Sequence, residues 1–184
     1  MKSATTIMVL LLGTVAARAQ QQQAIDLRPI LDNISAQSKR LIPILEQIDP
    51  NVWITAKGAP DQYVHQWRSS QDQLKAILTD TATLSKEPEK LSEALTTYFR
   101  VQAVQMMLQS LVEGIRRYQN SALADLLAGV AAEGSGDRER FQQYIVTLAT
   151  EREEMFGIMD HEAQRCRSVL SNQGVPAQPR PARK

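Results

Sequence analysis

Four side chains near the carboxyl end are the ones most suited to binding a soft metal ion. Their spacings of four, three and four residues place them on one face of a helix: Met155, Met159, Glu162 and Cys166. Thioether and thiolate sulfur are ligands for cuprous copper, so this face is a candidate copper site. The alternative is core packing, because flexible Met and small Cys at such spacing usually fill gaps between helices. A third interpretation is an exposed interaction stripe. We prefer the core interpretation and expect no bound metal or cofactor.

Cys166 is the only cysteine, so the chain cannot form an internal disulfide. It lies on the same predicted stripe as Phe156, Met159 and Val169, which places it at or near the core. A buried thiol reacts slowly, and we expect that behaviour here. An intermolecular disulfide remains the alternative in an oxidising compartment.

Catalytic patterns are missing from the sequence. Neither His65 nor His161 has a glutamate three residues earlier, as di-iron bundles require, and both are expected to be surface or boundary residues. No serine lies in a Gly-x-Ser-x-Gly turn, and the glycines at 134 and 136 lack the lysine of a phosphate-binding loop. The sequence therefore favours a protein that is not an enzyme.

Three aromatic residues are candidates for contact with a partner. Tyr63 and Trp67 share a helical face, and Trp53 lies in residues 52–59, which we interpret as a loop. Large rings bury much area, so Trp53 is expected to plug one end of the fold. The alternative is an exposed aromatic recognition surface at that end.

Residues 1–19 have the pattern of a secretory signal peptide. A positive residue, Lys2, precedes a short apolar run, and Ala17-Arg18-Ala19 supplies small residues for cleavage before Gln20. The apolar run is shorter than the roughly 20 residues that a membrane-spanning helix needs. We expect a periplasmic or secreted protein with no transmembrane segment after cleavage.

The charge balance excludes one class of partner. Without the signal peptide the chain has 19 basic and 20 acidic residues, because only Lys2 and Arg18 are removed. A nucleic-acid-binding protein would show a strong basic excess, so none is expected as a partner.

Apolar residues recur at helical spacing in four long segments. The first begins after Asp26 and runs through Pro43, where we expect a kink with Leu41 and Leu45 on the buried side. The second is predicted to begin at Pro60 and the third at Pro88. The last follows the glycines at 134 and 136 and carries one core stripe: Phe141, Ile145, Leu148, Met155, Phe156, Met159, Ala163, Cys166, Val169 and Leu170.

The third segment is predicted to break near Asn120. An unbroken helix over 88–133 would be about 70 Å long and would project beyond its neighbours. We therefore expect a short fifth helix that folds back to cover apolar surface with four residues: Leu123, Leu126, Leu127 and Val130.

These segments predict an all-α fold without a sheet. Short junctions make sequential helices antiparallel, which gives an up-down bundle of four main helices and a short fifth. The bundle domain is expected to span 20–171, and the Pro- and Arg-rich residues 172–184 to form a disordered tail.

The function expected from these features is non-catalytic. We predict an exported helical bundle that works by protein–protein interaction in the bacterial cell envelope, as an adaptor, a client-binding protein or a structural accessory. The partner and the oligomeric state are left open. The alternative is a bundle that binds a small ligand or copper between helices near Cys166.

Cleavage of the signal peptide can be tested directly. Mass spectrometry of the N-terminal peptide of protein from the periplasm or the medium should show a chain that begins at Gln20, free or cyclised to pyroglutamate, because Ala17 and Ala19 provide the small residues that the signal peptidase recognises. Recovery of exported protein that still carries Met1 would contradict the signal-peptide interpretation.

Overall fold

The computed structural model describes residues 25–172, which form helices and no strand, as predicted for an all-α bundle. The predicted signal peptide and the tail after Asn172 lie outside the described residues. Asn172 itself ends the last helix. The helices are α1 (Leu27–Leu45), α2 (Pro50–Lys57), α3 (Gln62–Leu84), α4 (Leu91–Tyr118), α5 (Ser121–Glu133) and α6 (Ser135–Asn172).

The long helices form an up-down bundle with four corners. Helices α1 and α4 each pack against α3 on one side and against α5 and α6 on the other. The indole of Trp67 at the start of α3 donates to the carbonyl of Leu45 at the end of α1, at 2.8 Å, so these two helices are antiparallel. The fourth corner is shared: α5 occupies its lower half and the first part of α6 its upper half. We call the end with the α3–α4 junction the upper end.

The α1 stripe demonstrates how the sequence pattern builds the core. Its apolar residues at three- and four-residue spacing are buried, as predicted, and helix α1 passes through Pro43 with Leu41 and Leu45 inside. The proline is tolerated because it lies in the last turn, where it removes only the hydrogen bond to the carbonyl of Lys39. The largest fully buried side chains come from five helices and the loop after α1: Ile30, Leu31, Leu45, Ile48, Leu74, Ile77, Leu84, Leu108, Leu111, Ile115, Leu127 and Phe141.

The predicted loop over 52–59 is wrong, because residues 50–57 form helix α2. The Asp49 carboxylate accepts a hydrogen bond from the backbone N–H of Asn51 at 3.0 Å, and Pro50 fits the first helical position. Gly58 ends the helix with φ of 65°, in the left-handed region that favours glycine. Asp49 and Pro50 also signal the start of a helix, although the sequence prediction uses them only as the end of α1.

Helices α3 and α4 begin later than predicted. Pro60 and Pro88 lie in turns that precede the helices, and α3 begins at Gln62 and α4 at Leu91. The backbone N–H of Tyr63 donates to the carbonyl of Pro60, and that of Lys90 to Glu87. Proline is as well suited to the second position of a tight turn as to the first turn of a helix, so its presence alone did not distinguish the two.

The predicted break near Asn120 is confirmed. Asn120 has an extended backbone, and its side-chain carbonyl accepts a hydrogen bond from the N–H of Ala122 at 2.8 Å, which caps α5. Helix α5 folds back and buries Leu127 and Val130. Leu123 is partly buried, but Leu126 points outward and is half exposed, so its predicted burial is wrong. It lies at the edge of the buried face, about 100° around the helix from Leu127.

A glutamine of α1 caps the carboxyl end of α5. The Gln37 amide donates to the carbonyls of Val130 and Ala131, at 2.7 and 3.1 Å. This contact needs Gly134 beside it, because a Cβ at that position would lie 2.2 Å from the Gln37 Oε1. Two carbonyls that the helix itself leaves unpaired are satisfied, and the corner between α5 and α6 is fixed to α1.

Replacing Gln37 by alanine should lower the free energy of unfolding by about 1 to 2 kcal/mol, because the partly buried carbonyl of Val130 loses its side-chain donor and that of Ala131 keeps only the Arg138 guanidinium, at 3.4 Å. Gly134→Ala should destabilise the wild-type protein by displacing the same amide, but should be nearly neutral in the Gln37→Ala background. Urea unfolding of the two single variants and the double variant measures this coupling. Additive effects would contradict it, and exposed Gln109→Ala is the matched control.

Candidate interaction surface

Helix α6 extends well beyond the bundle. It contains 38 residues and is about 57 Å long. The hydroxyl of Tyr144 donates to the carbonyl of Pro88, at 2.6 Å, and the Arg152 guanidinium donates to that of Glu89, at 2.9 Å, so α6 passes the upper end here. Every side chain from Glu151 to Ser171 is exposed. We call residues 151–172 the outer stretch; it projects about 30 Å from the bundle.

The outer stretch is amphipathic although no other described part of the chain covers it. Its apolar side chains gather on one side of the helix, and Phe156 and Met159 are 74% and 64% exposed. The opposite side carries charged and polar residues that include Glu153, Asp160 and Gln164. The apolar side consists of Met155, Phe156, Ile158, Met159, Ala163, Cys166, Val169 and Leu170. A surface of this kind on a soluble helix is typical of a contact site.

The predicted core placement of Met155, Met159 and Cys166 is wrong, because all three are exposed. The stripe to which they belong is buried only as far as Leu148. Helix α5 already fills the lower half of the fourth corner, so α6 begins midway along the bundle and leaves it after about 15 residues. The side chains beyond that point continue the pattern with no helix left to pack against.

The sulfur-containing face is present as predicted, but it is spread along one helix. Met155 and Cys166 lie about 16 Å apart along the axis, so a single copy cannot bring all four candidates to one ion. Among the described residues, no group of three His, Cys, Asp or Glu side chains is placed to hold a metal. His65 and His161 are both exposed. Cys166 also does not lie between helices, where the ligand-binding alternative placed its site.

The aromatic candidates lie at the lower end of the bundle. Trp53 is 2% exposed, and its ring stacks on Tyr118 at 6.1 Å and meets Tyr63 edge-on at 5.7 Å between centroids. The Trp53 indole donates to the side chain of Gln119, whose amide donates in turn to the carbonyl of Gln47. This burial favours the plug over the recognition surface. Tyr63 and Trp67 are half-buried and pack against the same core.

Gly114 lets these rings approach helix α4. A Cβ at this position would lie 2.7 Å from the Tyr63 ring and 3.0 Å from the Trp53 ring. The Lys57 ammonium donates to the carbonyl of Tyr118 at 2.6 Å and caps the end of α4. The lower end is therefore closed by its own side chains, and the uncovered apolar surface lies at the other end of the molecule.

Sequence reasoning includes an exposed interaction stripe as its third interpretation of Met155, Met159, Glu162 and Cys166, but it prefers the core. It placed Phe156, Val169 and Leu170 in the core stripe and did not use Ile158 at all. The missed signal was length. The break near Asn120 is predicted because an overlong helix must project beyond its neighbours. The same argument applies to the last helical segment, because a fifth helix shares its corner of the bundle.

Comparison with models of protein families, with curated proteins and with solved structures finds no match to this chain. None of the helices between residues 25 and 172 is long and apolar enough to cross a membrane.

Exposure reverses the expected behaviour of Cys166. In protein dilute enough to leave the outer stretch uncovered, a thiol reagent should label the native chain about as fast as the urea-unfolded chain, because the side chain lies on the projecting helix. Cys166→Ala should change the free energy of unfolding by less than about 0.5 kcal/mol. Slow labelling of dilute native protein that becomes fast in urea would mean that the thiol is covered.

Proposed function

We propose that this protein is a non-catalytic adaptor, client-binding or accessory protein whose contact surface is the outer stretch of α6. The observation that carries the proposal is the uncovered apolar side of this stretch, which continues the core-forming pattern for about 30 Å beyond the bundle. The bundle serves as the base that holds the helix in place. Helix-to-helix or helix-to-groove docking is the mode of recognition that such a stripe fits.

The stability of isolated helices supports the need for a partner. A helix of about 20 residues is marginal in water when nothing packs on its apolar side. The outer stretch also contains Gly157 in its interior, which lowers helix stability by about 1 kcal/mol relative to alanine. A partner that covers Phe156, Met159 and Leu170 would supply the packing that the rest of residues 25–172 does not.

The charges favour a protein over a lipid surface. Helices that lie on membranes carry Lys and Arg on their polar side, which attract anionic lipids. Residues 151–162 instead contain five acidic residues and one basic residue, Arg152. An anionic bilayer would repel this half of the outer stretch.

We further propose that this contact takes place in the cell envelope or outside the cell. The support is the signal-peptide pattern of residues 1–19, which directs a chain out of the cytoplasm. An adaptor role needs no more than a stable base and one accessible surface, and the interlocked lower end and the outer stretch together supply both.

The proposal predicts that charge on the outer stretch abolishes partner recovery. Phe156→Glu with Met159→Glu should reduce the partner cross-linked in intact cells by at least about tenfold, because two carboxylates would have to be buried in the contact. The full-length wild type and this double variant are compared at equal expression, with circular dichroism and thermal unfolding to verify the bundle.

A matched control exists on α4. Phe99 and Met106 are the same residue types and are 62% and 66% exposed, so Phe99→Glu with Met106→Glu adds the same charges elsewhere. This control should keep wild-type recovery. Equal recovery from all three proteins, or loss only in the α4 variant, would contradict the assignment of the contact to the outer stretch.

A further inference from the structure

We propose that the partner of the outer stretch is a second copy of this chain, and that the two outer stretches pair antiparallel. This inference rests on the proposed function, because it names the occupant of the same surface. Three independent properties of α6 lead to it: the period of its stripe, the side of the helix on which the stripe lies, and the distribution of its charges.

The stripe has the period of a coiled coil. From the bundle to the tip, the spacing alternates between four and three residues and averages 3.5, as in the a and d positions of a heptad repeat. The positions are Phe141, Ile145, Leu148, Arg152, Met155, Met159, Glu162, Cys166 and Val169. The first three are buried inside the bundle and the rest are exposed, so the outer part presents a seam for one further helix.

The position of the seam excludes a parallel pair. A stripe of this period drifts by only about 20° per heptad on a straight helix, so the seam faces the same side as the bundle core. A partner helix seated on it lies above the upper end of the bundle. In a parallel pair, the bundle of the second copy would then overlap the first bundle. In an antiparallel pair, the second bundle lies beyond the tip of the first helix, and both fit.

The charges favour the same direction. Residues 151–162 carry five acidic residues and one basic residue, whereas residues 163–172 carry two basic residues and no acidic one. An antiparallel pair places the acidic half of each helix beside the basic half of the other. A parallel pair would place the acidic halves together, and like charges at this distance repel.

The length of the outer stretch determines the register. The midpoint of the outer stretch lies between His161 and Glu162, and the nearest register that places seam positions opposite one another centres the pair between Asp160 and His161. The heptad then places Met155 opposite Cys166 of the partner subunit and Met159 opposite Glu162 of the partner subunit. The exposed seam also contains two charged residues, Arg152 and Glu162, which in this register face Val169 of the partner subunit and Met159 of the partner subunit and lower the stability of the pair.

Cysteine cross-linking tests direction and register together. In the proposed pair the two Cys166 residues lie about 16 Å apart along the axis, too far for a disulfide, which needs Cα atoms within about 7 Å. Met155→Cys adds a thiol that faces Cys166 of the partner subunit. Mild oxidation of this variant should yield mostly covalent dimer, and peptide mapping should identify a bond between positions 155 and 166.

Two single-cysteine proteins are the matched controls for the cross-link. The wild type has only Cys166, and Met155→Cys combined with Cys166→Ala has only the introduced thiol. Both should form at least about tenfold less covalent dimer than the two-cysteine variant at the same concentration. Efficient cross-linking of the wild type through Cys166 would overturn the proposed pair, since that bond requires the two Cys166 residues to face each other, as in a parallel pair or in an antiparallel pair centred on Cys166.

Mass measurement separates this inference from the proposed function. Sedimentation equilibrium of the full chain should give a dimer, and Phe156→Glu with Met159→Glu should weaken it at least about tenfold, while the α4 control should not. The dimer should weaken as salt is raised, because opposite charges meet across the seam. A monomer at every concentration tested would overturn self-pairing. Recovery of a different protein through the outer stretch in cells would then leave the proposed function standing.

Discussion

The sharing of one bundle corner between two helices determines the form of this molecule. Helix α5 fills the lower half of the fourth corner, and α6 can only begin where α5 ends. Since α6 contains 38 residues, it reaches the upper end early and must continue into solvent. The Gln37 amide fixes the point of transfer by holding the carbonyls of Val130 and Ala131 against α1. The break at Asn120 sets where α5 ends, and it therefore determines how much of α6 remains uncovered.

The two ends of the bundle differ for the same reason. At the lower end, the chain turns three times within a short distance, and the rings of Trp53, Tyr63 and Tyr118 fill the space between the turns. The indole and amide hydrogen bonds that join Trp53, Gln119 and Gln47 leave this end closed. Of residues 25–172, only the α3–α4 junction and the start of α1 lie at the upper end beside α6, so no described segment covers the projecting helix. Surface available for contact is therefore concentrated at one end.

Periodicity predicted most of the fold, but it could not predict which stripe would find a neighbour. The stripe of α1 and the break at Asn120 follow from apolar spacing and capping residues, and the structure agrees with them, whereas Phe99, which the same spacing places on the apolar stripe of α4, is 62% exposed. Cys166 shows the limit of this reasoning. An apolar residue at core spacing indicates that one side of a helix packs against another element. That element can belong to the same chain or to another molecule. The packing of α5 against α1 and α4 decides between a covering element from the same chain and one from another molecule. This packing depends on a contact between α1 and α5, which lie far apart in sequence.

A helix that grows out of a folded base differs physically from the same segment as a free peptide. Its nucleation, the unfavourable step in helix formation, has already taken place inside the bundle, and residues beyond Thr150 only extend it. A partner that docks on the outer stretch therefore meets a helix that is largely preorganised, which reduces the entropy lost on binding. Only the side chains of the seam, among them the flexible Met155 and Met159, still have to be ordered. Methionine suits this position because it can adapt to an irregular opposing surface. The arrangement combines a rigid backbone with adaptable contact atoms, which are the properties that a docking helix requires.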